Sequence, residues 1–93
     1  MLTAIASTRA SLADLHARFH DVLPVVQAEG FAAFQNLRSP EDREDAVAEA
    51  TLTAWRKFLR AVTEKLPIDP GDLARRAVDS ADRRIHQRAR LAV

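Results

Sequence analysis

Residues 43–62 read REDAVAEATLTAWRKFLRAV: an acidic start, a run of alanines, one tryptophan and a basic finish. Wound as a helix at about 100° per residue, Val47, Thr51, Trp55, Phe58 and Val62 fall on one stripe. Ala46, Ala50, Ala54 and Ala61 lie beside it, where a second backbone can approach closely. Asp45, Glu49, Leu52 and Arg56 line up well away from the centre of that stripe. One buried face is enough to join a core, so the carboxylate-and-leucine face needs a reason of its own. Two readings fit it. Either it is a solvated face whose acids favour the positive end of the helix dipole, or it is a docking stripe on which carboxylates meet basic side chains and Leu52 adds apolar contact.

Working outward from this helix, Ser39-Pro40-Glu41-Asp42 has the form of a helix start. Serine caps, proline suits the first helical position, and the acids face the dipole. The helix should run from Pro40 to about Lys65, stopped by Leu66-Pro67-Ile68. Asp69-Pro70-Gly71-Asp72 repeats the start pattern and opens a further helix to about Leu91, with a buried stripe of Ala74, Val78, Ala81 and Ile85. Upstream, Leu12, Leu15, Phe19, Val22 and Val26 recur at spacings of three and four. Pro24 predicts a break near Leu23, because proline removes a helical donor and restricts the residue before it. A separate helix then carries Val25, Val26, Phe31, Phe34 and Leu37, and Gly30 within it allows a close crossing. The expectation is an all-α fold, a small four-helix bundle forming a single domain over residues 1–93, with residues 1–10 a loosely held turn.

Composition agrees with helix: 93 residues hold only two glycines and four prolines and are rich in Ala, Leu, Arg and Glu. The absence of cysteine excludes disulfides and thiolate chemistry and fits a reducing, cytoplasmic setting. No apolar run approaches the ~20 residues that span a bilayer. Net charge is +1, but its distribution is uneven. Four basic and eight acidic residues precede Arg56, against ten and five from Arg56 onward. Such asymmetry points to a polyanion near the C-terminal end.

On the last helix Arg76, Arg83 and Arg90 are spaced by seven, and Arg84 and Arg88 by four. Guanidinium groups suit phosphate oxygens, to which they donate paired hydrogen bonds. The same arginines also suit a solvated face, with Asp79 and Asp82 as internal partners. His16 and His20 stand one turn apart, but without the glutamate of a zinc-protease helix or an evident third ligand. The serines lack a nucleophile context, and two glycines cannot build a phosphate loop. No enzyme, metal or cofactor is expected.

Glu44-Asp45-x-Val47-x-Glu49-x-x-Leu52-x-Ala54-Trp55-Arg56 resembles the second conserved region of bacterial RNA polymerase sigma factors, the extracytoplasmic-function kind especially. Phe19, Leu23 and Val26 stand about where that family's first helix places its apolar residues. The resemblance implies that Asp45 and Glu49 face the clamp of the RNA polymerase core, and that the Arg-rich helix lies against promoter DNA. Two positions depart from the family pattern: Ala48 replaces its usual glutamine, and Thr51 an aromatic. From Leu59 onward there is no aromatic side chain on which to stack an unpaired base. No second helix-turn-helix region follows, so less than a complete promoter-recognising factor is expected.

Two functions follow. In the first, the chain is a sigma-like module with Asp45, Glu49, Leu52 and Arg56 on a protein partner and Arg76, Arg83, Arg84, Arg88 and Arg90 near nucleic acid. In the second, it is a helical interaction or self-assembly protein, a homodimer in which the Ala46/Ala50/Ala54 strip and the thin stripe of the last helix complete a core, with no nucleic-acid role.

Overall fold

A computed structural model describes residues 2–92, with side chains from 12 to 91. It contains three α-helices: α1 Leu2–Ala33, α2 Pro40–Thr63 and α3 Pro70–Ala92. The fold is all-α, as the composition requires, but the bundle has three helices rather than four. The difference lies at Pro24, which sits inside α1 instead of ending it. Pro24 is on the exposed side of α1, so the His20 carbonyl that loses its helical donor can be met by water. Helical packing on the opposite side holds the chain straight through: Val22, Val26, Gly30 and Phe34 form one buried row at intervals of four.

Both later helix starts are built as the residues suggest. Ser39 is extended, and its hydroxyl accepts from the Asp42 amide at 3.1 Å. The Asp69 carboxylate accepts from the Gly71 amide at 3.1 Å, with Pro70 opening α3. The end of α2 is less conventional. Leu66 N–H donates to the Ala61 carbonyl at 2.8 Å and Lys65 N–H to that of Val62 at 3.2 Å. This is the paired closure that usually employs glycine, and here Lys65 takes the left-handed conformation at φ 55°.

The core lies along the line where all three helices meet. Between α2 and α3 it is made of small side chains: Ala46, Ala50 and Ala54 against Ala74, Ala77 and Ala81, all buried. These alanines let the two backbones approach closely, and their burial removes the strip that the self-assembly reading had left free. Toward α1 the filling is larger, with Val22, Val26 and Phe34 joining Val47 and Phe58 in the same buried cluster. Gly30 eases this crossing, since a Cβ there would stand 3.2 Å from a Val47 methyl, which would have to give by a few tenths of an ångström. At one end of the α1–α2 seam an aromatic group closes the core: Phe19 lies edge-on to Trp55 with centroids 5.0 Å apart, and Trp55 stacks near Phe58 at 5.9 Å.

Candidate functional site

The outer face of α2 does not stay together. Glu49 turns toward α3, where its carboxylate lies 3.4 Å from Arg84 Nε and pairs closely with Arg88. Arg84 also donates to the Thr53 hydroxyl, which in turn donates to the Glu49 carbonyl at 2.9 Å. Thr53 is buried, so this relay satisfies a hydroxyl that would otherwise be stranded in the α2–α3 seam. The predicted partner-binding carboxylate and two of the predicted nucleic-acid arginines are therefore one intramolecular cluster holding α2 to α3. Asp45, Leu52 and Arg56 remain exposed on the outer side of α2.

The other arginines of α3 divide in the same way. Arg76 pairs with Asp72 at 3.0 Å, and Arg75 reaches the same carboxylate at 3.7 Å. Arg83 and Arg90 are exposed and form no ion pair among the described residues. Asp82 is taken by His86 at 3.2 Å rather than by an arginine. His16 lies beside the Trp55 ring, centroids 5.2 Å apart. Among the described residues no group of three or more potential ligands is placed to hold a metal ion. No described helix is long and apolar enough to cross a membrane.

The cluster's contribution to stability is set by partial burial. The Glu49 side chain is 23% exposed, against 41% for Arg84 and 65% for Arg88. Breaking a fully buried pair costs about 3–5 kcal/mol, and solvent screening at these exposures reduces that to ~1–2 kcal/mol. Glu49→Gln keeps the shape and removes the charge, so urea unfolding should show a loss of that size. Molar salt should shrink the difference between variant and wild type, and a difference independent of salt would contradict the ionic assignment.

Between α1 and α2 runs an open groove of roughly 550 Å³, lined mainly by apolar atoms of Phe19, Phe31, Val47, Ala48, Leu52 and Trp55, with Gln27, Glu44 and Thr51 at its edges. Phe31, from α1, is 54% exposed and Leu52, from α2, is 50% exposed, and both line it. The expected separate helix carried Phe31 together with Val25, Val26, Phe34 and Leu37. Once α1 is continuous, the four-residue row of Val22, Val26, Gly30 and Phe34 takes the core, and Phe31 falls to its edge.

No family model, curated protein or solved structure matches the chain. The sigma-factor resemblance therefore rests on the residues from Glu44 to Arg56 and on the apolar spacing of α1.

Proposed function

We propose that this chain is a protein–protein interaction module that receives one face of an amphipathic helix in the α1–α2 groove. The observation that carries this reading is the convergence of half-exposed Phe31 and Leu52, from two different helices, on one apolar groove. Single exposed apolar residues are ordinary and need no explanation. A contiguous apolar groove is different, because each Å² left in water forgoes about 25 cal/mol. Ala48 and Thr51 are small enough to admit a side chain from an incoming helix, while Trp55 and Phe19 wall one end. The activity is binding, with no bond made or broken.

A photoreactive residue placed at Ala48 tests this in cells that express the chain natively. It should yield polypeptide adducts, whereas the same residue at Arg75, on exposed α3, should not. Equal yields from both positions, or none from either, would overturn the reading.

A second reading retains sigma-type docking on RNA polymerase core, with α3 beside DNA. It is favoured by the joint exposure of Asp45, Leu52 and Arg56 on outer α2. It must work with one of its two carboxylates, since Glu49 is engaged by Arg84 and Arg88. Retention on DNA that weakens with salt at a log–log slope of roughly −0.9 per phosphate contact would support it. No retention even at low salt would remove its nucleic-acid half.

A further inference from the structure

We infer that the occupant of the α1–α2 groove is a second copy of this chain, packed so that the two α2 helices run antiparallel across a two-fold axis. This rests on the groove being an interaction surface, and it names the partner. The argument is charge complementarity along α2. Its outer face carries Glu41, Glu44 and Asp45 before Ala48, and Arg56 after Leu52, all exposed. A helix polarised in this way repels a parallel copy of itself and attracts an antiparallel one.

The register also fits the shapes present. When Leu52 of one copy lies over Ala48 of the other, symmetry returns the same contact a turn away. The half-exposed leucine then meets a small, exposed residue of the groove lining, to which Phe31 also belongs. In that register Arg56 of each copy comes opposite Glu44 and Asp45 of the other. None of these three makes an ion pair within its own chain among the described residues, so each is available for an intermolecular one. A two-fold interface needs a self-complementary patch, and small-against-large with acid-against-base is one. The net charge of +1 leaves little long-range repulsion between copies.

Sedimentation equilibrium of the purified chain reads the result. The wild type should move from monomer mass at high dilution to twice that mass on concentration. Arg56→Glu, which places acids against acids, should weaken association at least tenfold with unchanged helical circular dichroism. Adding Glu44→Arg and Asp45→Arg to it exchanges the two sides of that acid–base contact and should restore the dimer. Leu52→Asp should abolish it. A wild type that stays monomeric at every concentration overturns the inference, as does a dimer that survives both Arg56→Glu and Leu52→Asp. If the chain is monomeric yet the Ala48 probe still captures other polypeptides selectively, the second copy is ruled out and the interaction reading stands.

Discussion

Replacing Phe58 by alanine is expected to lower the unfolding free energy by about 3–5 kcal/mol. The side chain is 1% exposed and is one of the two largest that are fully buried, the other being Val26. Its ring lies 5.5 Å from that of Phe19 and 5.9 Å from that of Trp55, and the Arg18 guanidinium stands 5.6 Å from its centroid. Truncation removes the transfer energy of the ring and leaves a cavity between α1 and α2 that a rigid aromatic neighbourhood cannot close. A domain of this size has a total stability of only about 5–14 kcal/mol. The variant should therefore be partly unfolded near physiological temperature. Phe58→Leu retains much of the volume and should lose less than half as much. Urea titration followed by circular dichroism checks both, and a loss below ~1 kcal/mol for alanine would show that the aromatic group does not hold the α1–α2 seam.

The second large effect has the opposite sign. Pro24→Ala should stabilise the protein by about 2 kcal/mol. Proline in an exposed helix interior is about 3 kcal/mol worse than alanine, because it lacks the N–H and its ring crowds the preceding turn. Part of that difference is offset, since proline also restricts the unfolded chain by ~0.4–1 kcal/mol. Here α1 runs through Pro24, so the native state bears the whole penalty. Alanine would supply an amide to the His20 carbonyl while leaving the buried neighbours Val22 and Val26 in place. For a domain of this length the midpoint of thermal unfolding should rise by roughly 10 °C. An unchanged or lower midpoint would mean that the proline geometry is itself required by the fold.

These two residues show where sequence reasoning was sufficient and where it was not. Phe58 was legible: its place on the Val47–Trp55–Val62 stripe made it a core residue, and the structure buries it. Pro24 was misread as a helix end because its local preference is strong. That preference was outweighed by the buried row on the other side of the helix, Val22, Val26 and Gly30, which leads on to Phe34 one residue past its end and is kept in register only if the helix continues. The candidate site divides in the same way. Asp45, Leu52 and Arg56 were rightly taken off the core stripe, since periodicity reports which residues face away from it. Periodicity does not report what lies opposite. Glu49 shares the outer stripe, yet it stands near enough to the seam to meet Arg84 and Arg88 from a segment more than thirty residues away.

The sequence by itself determined the all-helical class, the starts of α2 and α3, and most of the residues that would be buried. Those are local properties: capping geometry, backbone preference and the angular spacing of apolar side chains are all set within a few residues. Tertiary structure alone decided the number of helices, the pairing of Glu49 with two arginines and the groove that Phe31 and Leu52 both line. Each of those depends on how one helix is rotated and stacked against another. That arrangement follows from the close approach permitted by facing alanines and Gly30, a property of surfaces in contact that no single stretch of the chain contains.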